Sequence, residues 1–467
     1  MEAIRVPDQV LPAPGRRELP EPVPLRRMLG PSVILAGLSI GSGELVLWPR
    51  LTAEWGFAVF WACWVGVTIQ FFLNMEIERW TLATGESAVT GFLRLGRAWG
   101  PVFLACGTIP WMWPGWATGG STILAWELGG NVTAYTVGSL AFCGVVLTVS
   151  PVVYRAVELL QMILVTAIFL FLGILAVLVV RGDALAALAA GALRFGHLPP
   201  GIDVPLLLGA LAFAGAGGTA NLAQSNYIKD KGYGMGCWMG RITSPFTGRD
   251  EAATEIGYVF PPDTANLARW KVWWRRANLE HFFTFWLLCN LSLVLLCLLA
   301  YSLLEPGAPV SQGFGFIADQ AATLERRFGP GARHLFLGAA LAVLFSTELG
   351  LLDAVSRVAA DVVKVSFLSD RRAWTPSRIY VALVWSMVAL GIAIVLGGFD
   401  QPLSLLVLSS CLNGFVMFLY SGLLLWLNLT TFSGPLRPSP VRVAALAGSL
   451  IFFGYFSALT LADQLSR

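Results

Sequence analysis

Charged residues and histidine are scarce in this sequence. Lysine, arginine, aspartate and glutamate make up only 13% of the 467 residues, and there are three histidines. Together with a hydrophobic fraction of 56% and a mean hydropathy of +0.70, this scarcity excludes a soluble globular protein and indicates a polytopic membrane protein. The net charge of +3 is too small to favour a nucleic-acid-binding protein.

Paired cysteines and catalytic motifs are also missing. The seven cysteines contain no CxxC pair and lie mostly in apolar segments, so they indicate neither a disulfide framework nor a zinc site. The sequence has no HExxH motif and no pairing of a nucleophile with histidine in its apolar segments. We therefore expect no enzyme, no bound cofactor and no obligate protein partner.

Long apolar segments are abundant. A membrane-spanning helix needs about 20 apolar residues. We find about eleven such stretches, at 30–54, 57–78, 100–129, 134–151, 156–180, 203–228, 277–303, 334–364, 378–397, 403–427 and 441–462. The sequence therefore predicts an all-α polytopic membrane protein with about 11 transmembrane helices.

Arginines beside the predicted helices indicate the orientation in the membrane. Loops rich in lysine and arginine face the cytoplasm. Alternate loops carry such residues close to helix ends, namely Arg26, Arg27, Arg94, Arg97, Arg155, Arg275, Arg276, Arg371, Arg372, Arg437 and Arg442. We expect an integral protein of a bacterial-type plasma (inner) membrane, with the N-terminus in the cytoplasm and the C-terminus outside.

Two glycine-rich breaks interrupt predicted helices 1 and 6. The first is Ser39-Ile40-Gly41-Ser42-Gly43-Glu44, and the second is Ala214-Gly215-Ala216-Gly217-Gly218-Thr219-Ala220-Asn221. Lipid cannot satisfy the backbone groups that a break frees, so a broken helix is tolerated where it lines a site inside the protein. Breaks at equivalent positions of two halves are typical of secondary transporters. We predict a 5+5 inverted repeat with a substrate site between broken helices 1 and 6.

This organisation divides the chain into five segments. We expect a disordered cytoplasmic tail, a first five-helix repeat, an extracellular linker, a second five-helix repeat and an additional helix 11, at 1–28, 29–180, 181–202, 203–427 and 428–467. The second repeat includes a long cytoplasmic loop at 229–276. The basic and aromatic end of this loop, 270–276, is expected to lie at the membrane interface.

The motifs around the breaks resemble those of the Nramp (natural resistance-associated macrophage protein) family of divalent metal transporters. Gly30-Pro31 opens helix 1 as in the family, and Gly43 matches the glycine of its Asp-Pro-Gly-Asn motif. Arg79 is followed by Thr84-Gly85 at the family's spacing, and Asn221 matches the end of its Met-Pro-His-Asn motif. The resemblance covers helices 1 to 10 and implies a divergent Nramp-related branch with the inverted-repeat fold of amino-acid symporters.

The resemblance also implies a metal site, with a changed set of ligands. Glu44 and Asn221 are the side-chain candidates, and the backbone carbonyls around Gly41, Gly217 and Gly218 would complete the site. The methionine ligand of the family is missing from the second break. An all-oxygen set suits a hard ion such as Mg²⁺ or Mn²⁺ better than a soft one.

Proton coupling through histidine is disfavoured by the sequence. Ala220 stands where the family has a histidine on helix 6. The three histidines of the chain, His197, His281 and His334, are all expected near membrane surfaces. A histidine relay at membrane depth is therefore not expected.

Glu44 is the most informative single residue. An ionised carboxylate at membrane depth costs at least about 2.5–3.5 kcal/mol, so such groups usually have a partner and a function. One hypothesis is that Glu44 binds the transported ion or substrate. The structural alternative is that Glu44 caps a half-helix or pairs with Arg50.

Further polar residues are candidate ligands in the second half. Glu348 and Thr347 offer oxygen ligands or a proton site, or else a hydrogen bond between helices. Asp353 and Arg357 are one helical turn apart and are expected to pair with each other. Asn413 lies in an apolar stretch of helix 10, where small polar residues also serve helix packing.

Tryptophans in the third predicted helix support an alternative substrate. This helix carries four tryptophans and two prolines: Trp111, Trp113, Trp116, Trp126, Pro110 and Pro114. Aromatic faces that converge on a cavity bind organic cations, whereas tryptophans at the lipid interface anchor a helix. The alternative to a metal is therefore a small organic solute or organic cation.

Overall fold

The computed structural model describes residues 3–246, 256–304 and 310–466, and most of them are helical. The first helices are α1 (Leu25–Met28), α2 (Pro31–Ser39), α3 (Trp48–Trp55), α4 (Phe60–Thr84), α5 (Ala88–Leu95), α6 (Trp99–Thr108), α7 (Gly115–Leu128), α8 (Val132–Val149), α9 (Val153–Val179) and α10 (Gly182–Ala192). They continue with α11 (Val204–Ala212), α12 (Gly218–Lys231), α13 (Thr264–His281), α14 (Leu288–Leu303), α15 (Gly315–Phe328), α16 (Pro330–Phe367), α17 (Pro376–Leu396), α18 (Pro402–Thr431) and α19 (Pro440–Ser466). The predicted all-α polytopic class is confirmed.

Long helices account for most of the predicted membrane spans. Within the described residues, nine helices are long and apolar enough to cross a membrane. The two remaining predicted spans, 100–129 and 203–228, are each divided into two shorter helices. The predicted count is reached when α6 with α7, and α11 with α12, are each taken as one interrupted span.

The first glycine-rich segment stays helical. α2 ends at Ser39, a π-helix covers Ile40–Leu47, and α3 follows directly. A π-helix shifts the pairing of backbone amides and carbonyls without unwinding the chain. The predicted break in helix 1 therefore takes the form of a local widening of the helix.

The second glycine-rich segment does unwind. α11 ends at Ala212 and α12 begins at Gly218, and the residues between them are not helical. Gly217 and Gly218 have φ values of +71° and +49°, a region of backbone conformation that favours glycine. The prediction of a broken helix 6 is confirmed.

A further interruption lies in the third span, where the sequence analysis expected a continuous helix. α6 ends at Thr108, a 3₁₀ turn covers Ile109–Trp111, and α7 begins at Gly115. Pro110 and Pro114 explain the interruption, because proline has no amide hydrogen and its ring obstructs the preceding helical turn. Trp111, Trp113 and Trp116 lie in or beside the interruption, whereas Trp126 lies near the end of α7.

The N-terminal segment differs from the predicted disordered tail. Leu19 and Met28 are fully buried, and β1 (Gly15–Arg16) pairs in parallel with β2 (Tyr258–Val259). A proline-rich segment leaves its carbonyls without internal partners. Those carbonyls accept hydrogen bonds from the rest of the chain, which orders the segment. Residues 1 and 2 of the predicted tail lie outside the described residues.

α13 provides many of these hydrogen bonds. Trp273 Nε1 and Arg276 Nη1 donate to the carbonyls of Pro20 and Pro22, both at 2.9 Å. In the run 270–276, Trp270 and Trp273 are buried within the protein. This run packs against the N-terminal segment, and its expected position at the membrane interface stays a prediction. Residues 247–255 of the predicted loop 229–276 lie outside the described residues.

Candidate functional site

The two glycine-rich segments pack against each other inside the bundle. Gly43 lies so close to the backbone carbonyl of Phe213 that a Cβ atom at this position would overlap it. Gly41 approaches the side chain of Thr347 on α16 in the same way. Both glycines are therefore required by the close approach of neighbouring elements. The structure brings together Gly41 and Thr347, two of the predicted site residues.

Gln70 of α4 holds the unwound part of helix 6. Its Nε2 donates to the Ala212 carbonyl at 2.9 Å, and its Oε1 accepts from the Gly217 amide at 3.1 Å. The same Oε1 accepts from Asn221 Nδ2 at 3.2 Å. The sequence analysis missed Gln70. The sequence signal for it was a glutamine within an apolar stretch. The structure shows that this glutamine is fully buried.

Asn221 combines satisfied and unsatisfied groups. Its Nδ2 also donates to the hydroxyl of Tyr420 on α18 at 3.0 Å. Its Oδ1 is buried and has no hydrogen-bond partner. A buried polar atom without a partner is uncommon in a folded protein and calls for an explanation. The oxygen is available to a ligand or to water.

Asn413 serves the start of α12. Its Oδ1 accepts from the Thr219 amide at 3.4 Å, and its Nδ2 donates to the Ser409 carbonyl at 3.0 Å. Gly218 lies so close that a Cβ atom there would overlap Asn413. Asn413 therefore lies next to Gly218, and its polar groups bind the backbone in this conformation.

Glu44 is fully buried within the π-helical segment. One carboxylate oxygen accepts from Ser39 Oγ at 2.5 Å, and the other accepts from the hydroxyl of Ser292 on α14. The structural alternative of a Glu44–Arg50 pair is wrong, because Arg50 pairs with Glu54 at 2.5 Å. In the described part of the chain, no basic residue pairs with Glu44.

Glu44 and Asn221 are not brought together in this conformation. Glu44 faces Ser292 of α14, whereas Asn221 faces Gln70 and Tyr420. Among the residues that the structure describes, no hydrogen bond joins the two, and no group of three or more His, Cys, Asp or Glu residues is placed to hold a metal ion. A metal here would depend on amide and carbonyl oxygens in addition to one carboxylate.

Glu348 lies near the middle of the 38-residue α16 and is 5% exposed. Its Oε2 accepts from Ser139 Oγ of α8 at 2.7 Å, while its Oε1 is buried without a partner. Neighbouring Thr347 donates to the Val343 carbonyl of its own helix at 3.0 Å. The hydrogen bond of Glu348 therefore joins α16 to α8.

The predicted pair of Asp353 and Arg357 is confirmed. Arg357 Nε donates to both Asp353 oxygens at 2.8 Å, and it also pairs with Asp230 of α12. The hydroxyl of Tyr380 donates to Asp353 at 2.7 Å. All four residues are buried, and their contacts form a structural link between α12, α16 and α17.

Two of the four tryptophans of the third span face the protein interior. Trp111 and Trp116 are 6% and 4% exposed, which excludes a lipid-facing position for both. Trp111 stacks on Phe213 of the unwound segment, with ring centroids 5.6 Å apart and an interplanar angle of 18°. The interrupted third span and the broken helix 6 therefore meet through aromatic rings.

His281 lies inside the protein, and its expected position near a membrane surface stays a prediction. It is fully buried, stacks on Phe285 with centroids 4.7 Å apart, and its Nδ1 lies 2.8 Å from Ser32 Oγ. Ser32 also donates to Glu280, which precedes the histidine. The sequence analysis placed Glu280 and His281 at the start of the predicted span 277–303 and missed the polar cluster that they form with Ser32.

Ser39 lies in a stretch with the spacing of a hydrolase nucleophile motif, Gly37-Leu38-Ser39-Ile40-Gly41. A nucleophile elbow requires a sharp turn between a strand and a helix. Here Ser39 is the last residue of α2, and its hydroxyl donates to Glu44. The motif match therefore lacks the strand–turn–helix context of a nucleophile elbow.

The sequence matches no protein-family model and no curated protein. Its fold does match solved structures. A mutant of the Eremococcus coleocola manganese transporter aligns with a TM-score of 0.71 and 13% identity, over 97% of this chain and 90% of that chain. The same transporter in complex with an aromatic bis-isothiourea substituted compound aligns over the same shares with a TM-score of 0.69.

The chain has an Nramp-type fold. This confirms, at the level of the fold, the resemblance seen in the sequence motifs. A second kind of transporter also matches: Mhp1 of the nucleobase-cation-symport-1 family, in a closed conformation with bromovinylhydantoin bound. Its TM-score is 0.52 at 12% identity, over 97% of this chain and 95% of that chain. At such low identity the likeness describes architecture and leaves the substrate open.

Proposed function

We propose that this protein is a secondary transporter that carries a cation across a membrane by alternating access, without chemical conversion. The observation that carries the proposal is the burial of Glu44 and Glu348, neither of which pairs with a basic residue in the described chain. An uncompensated carboxylate at membrane depth costs about 2.5–3.5 kcal/mol or more. A bound cation or proton supplies the missing compensation. The solved structures with this fold include a manganese transporter and Mhp1, a nucleobase-cation symporter.

A divalent metal is one cargo that this fold supports. We propose Glu44 and Asn221 as its side-chain ligands, with backbone carbonyls near Gly41, Gly217 and Gly218. The unpartnered Oδ1 of Asn221 supports this assignment. Because the donors are all oxygen atoms, a hard ion such as Mg²⁺ or Mn²⁺ is favoured.

This metal site would assemble through a rearrangement. Glu44 is bonded to Ser292, and Asn221 is bonded to Gln70 and Tyr420. Movement of one helix group against the other during alternating access is the kind of change that brings such groups together. We propose Thr347, Glu348 and Asn413 as accessory positions that contact the cation at other stages of the cycle.

We place the transporter in a bacterial-type plasma membrane with its N-terminus in the cytoplasm and its C-terminus outside. Arginine-rich loops on one side support this orientation. A cysteine introduced at position 465, with labelling by a reagent that does not cross the membrane, tests it. Labelling from outside is expected in intact cells.

Metal transport is tested with purified protein in liposomes. Saturable uptake of Mn²⁺ or Mg²⁺ is expected for the natural protein, and Glu44→Gln and Asn221→Ala are expected to abolish it. A pH-sensitive dye inside the liposomes shows whether protons enter with the metal, as symport requires. Glu54→Gln is the matched control, because Glu54 lies in α3, carries 26% side-chain exposure and pairs only with Arg50 among the described residues. If neither Mn²⁺ nor Mg²⁺ is taken up, the metal proposal is refuted.

A further inference from the structure

Five buried polar residues meet where α2, α4, α12 and α13 come together. They are Ser32 of α2, Glu78 of α4, Gln224 of α12, and Glu280 and His281 at the end of α13. None of them is more than 3% exposed. Burying polar groups is unfavourable unless they are hydrogen-bonded, and burying charges is unfavourable unless they are paired. We call these five residues the polar cluster.

Ser32 links His281 to Glu280. The Ser32 hydroxyl donates to Glu280 Oε2, and His281 Nδ1 lies 2.8 Å from Ser32 Oγ. A hydroxyl has a single hydrogen and can also accept one. Because Ser32 donates that hydrogen to Glu280, Nδ1 supplies the hydrogen of the second bond. The imidazole, the hydroxyl and the carboxylate therefore form a continuous line of hydrogen bonds.

A second neighbour of Nδ1 suits the opposite arrangement. Gln224 Nε2 donates to Glu78 Oε2 at 3.2 Å and lies 3.5 Å from His281 Nδ1. The amide nitrogen of glutamine can only donate, so this contact becomes a hydrogen bond when Nδ1 carries no hydrogen. The ring stacks on Phe71 and Phe285, with centroids 5.5 Å and 4.7 Å apart. The surroundings thus fix the ring and fit both of its neutral tautomers.

The polar cluster has more acceptors than hydrogens. Three of its atoms are buried without a hydrogen-bond partner: Nε2 of His281, Oε1 of Glu280 and Oε1 of Gln224. With the hydrogen of the ring on Nδ1, all three are acceptors. Folded proteins leave few such atoms unsatisfied. The shortage of hydrogens indicates that the polar cluster takes up a proton.

The charged groups around the polar cluster leave its two carboxylates unpaired. The basic residues that act on them electrostatically are Lys231 at the end of α12 and Arg442 of α19. Their own ion pairs are with Glu158 and Glu76. The other titratable neighbours are the phenols of Tyr154 in α9 and of Tyr233, which follows α12. Two neighbouring carboxylates disfavour each other's ionised form, and a proton on one of them relieves this.

We propose that the polar cluster binds one proton, which enters at His281 Nε2 and is stored on Glu280. A metal ion would need several ligands around one point. In the described part of the chain, no three His, Cys, Asp or Glu residues are placed in that way. A proton needs a single acceptor. The inference rests on the proposed transport function and names the proton as the ion that is coupled to it.

Proton uptake shifts hydrogens along the line of bonds. The proton binds to the lone pair of His281 Nε2, the hydrogen on Nδ1 passes to Ser32 Oγ, and the original Ser32 hydrogen passes to Glu280 Oε2. The imidazole stays neutral and changes tautomer, the hydroxyl is restored, and the carboxylate becomes a neutral acid. Release follows the same steps in reverse. One proton is gained or lost in total.

Glu280 also holds the start of α2. Its carboxylate accepts from Ser32 and from the backbone of Gly30, which precedes the helix. A negative charge at this position is attracted by the N-terminal end of the helix dipole, and protonation removes the attraction. α2 leads directly into the π-helix that contains Glu44. A proton on Glu280 therefore frees α2 for the movement that alternating access requires.

The ring nitrogens of His281 report proton uptake directly. Full-length protein with isotope-labelled histidine is studied by NMR in detergent, and the three histidines are assigned with His197→Gln and His334→Gln. As the pH falls from about 8 to about 5, we expect His281 to change from the Nδ1–H to the Nε2–H tautomer. One tautomer throughout this range, or a ring that becomes an imidazolium, would overturn the proposal.

Variants show where the proton is stored. The carboxamide of Glu280→Gln cannot take up a proton, and Ser32→Ala interrupts the line, so each is expected to abolish the change of tautomer. Glu127→Gln is the matched control, because Glu127 pairs with another histidine, His334. It is expected to alter the titration of His334 and to leave His281 unchanged. A change of tautomer that persists in Glu280→Gln contradicts storage on this residue.

Circular dichroism and gel filtration check that each variant is folded. If both variants of the polar cluster fail to fold, the titration of His281 in the natural protein still decides the proposal.

Liposome uptake tests the coupling. With the natural protein, Mn²⁺ entry is expected to acidify the lumen, and an inward proton gradient is expected to raise the initial rate of uptake. Glu280→Gln is expected to lose both effects, whereas Glu127→Gln keeps them. Proton entry that is unchanged in Glu280→Gln would overturn the coupling role.

The NMR and uptake measurements separate this proposal from the transport function. A change of tautomer without Mn²⁺ uptake supports the proton site and contradicts metal transport. Mn²⁺ uptake without a change of tautomer overturns the proton site and leaves the transporter proposal intact.

Discussion

Glu44 and Glu348 are both buried carboxylates, but their surroundings differ. Glu44 lies in the packed interior, where the hydroxyls of Ser39 and Ser292 each donate a hydrogen bond to one of its carboxylate oxygens. Glu348 lies on a cavity wall, with one oxygen bonded to Ser139 and the other without a partner. Burial of a charge alone therefore does not distinguish a packed carboxylate from one that faces a space for ligand. A carboxylate oxygen that has no hydrogen-bond partner and lies beside a cavity makes this distinction.

Substitutions in the packed region around the two glycine-rich segments are expected to destabilise the protein more than substitutions beside the cavity at Glu348. Within that packed region, Gln70→Ala should have the largest effect. It would leave the Ala212 carbonyl, the Gly217 amide and one Asn221 hydrogen without partners. At about 1–3 kcal/mol for each buried unsatisfied group, a loss of at least about 3 kcal/mol in the free energy of unfolding is expected. Thermal and denaturant unfolding in detergent measure it. Exposed Gln312→Ala serves as the control, and a loss no larger than that of the control would contradict the role of Gln70.

Gly43→Ala is expected to have the next largest effect. The added Cβ would overlap the Phe213 carbonyl, so the two glycine-rich segments would have to separate, at a cost of about 1–3 kcal/mol. Gly173→Ala in α9 is the matched control, because nothing lies within 4 Å of a Cβ there. This control is expected to be neutral or slightly stabilising. Equal melting temperatures for the two variants would show that the contact between the two glycine-rich segments accommodates an added methyl group.

The smallest expected effect comes from removing one hydroxyl beside each carboxylate. Ser292→Ala takes a donor from enclosed Glu44 and should cost about 1–3 kcal/mol. Ser139→Ala takes a donor from Glu348, where water in the cavity can replace it, so a loss below about 1 kcal/mol is expected. The two melting temperatures in detergent measure the contrast. Similar losses for both serines would remove the distinction between a packed and an open carboxylate.

The helix pattern of this protein could be predicted from the sequence because it follows from local features. Apolar runs gave the membrane spans, and adjacent glycines marked the unwinding at Gly217 and Gly218. Pro110 and Pro114 also carried a local signal for the interrupted third span, although the expectation there was a continuous helix. The order of the N-terminal segment was not predictable in this way, because it depends on carbonyls meeting α13 far along the chain.

The candidate site was only partly predictable. Glu44, Asn221, Glu348 and Trp111 were each recognisable as unusual residues for a membrane helix. The sequence could not show that Glu44 and Asn221 face different helices, because facing depends on helix rotation and register. It also could not show that Trp111 stacks on Phe213 or that Trp111 and Glu348 line one cavity.

Counterflow of labelled Mn²⁺ tests the central claim most directly. Liposomes that contain the protein are loaded with excess unlabelled Mn²⁺ and diluted into a trace of labelled Mn²⁺. The account predicts a transient accumulation of label for the natural protein and for Glu54→Gln, and none for Glu44→Gln. Such an overshoot requires a site that is exposed to each side in turn. No accumulation by the natural protein, or full accumulation by Glu44→Gln, would contradict the account.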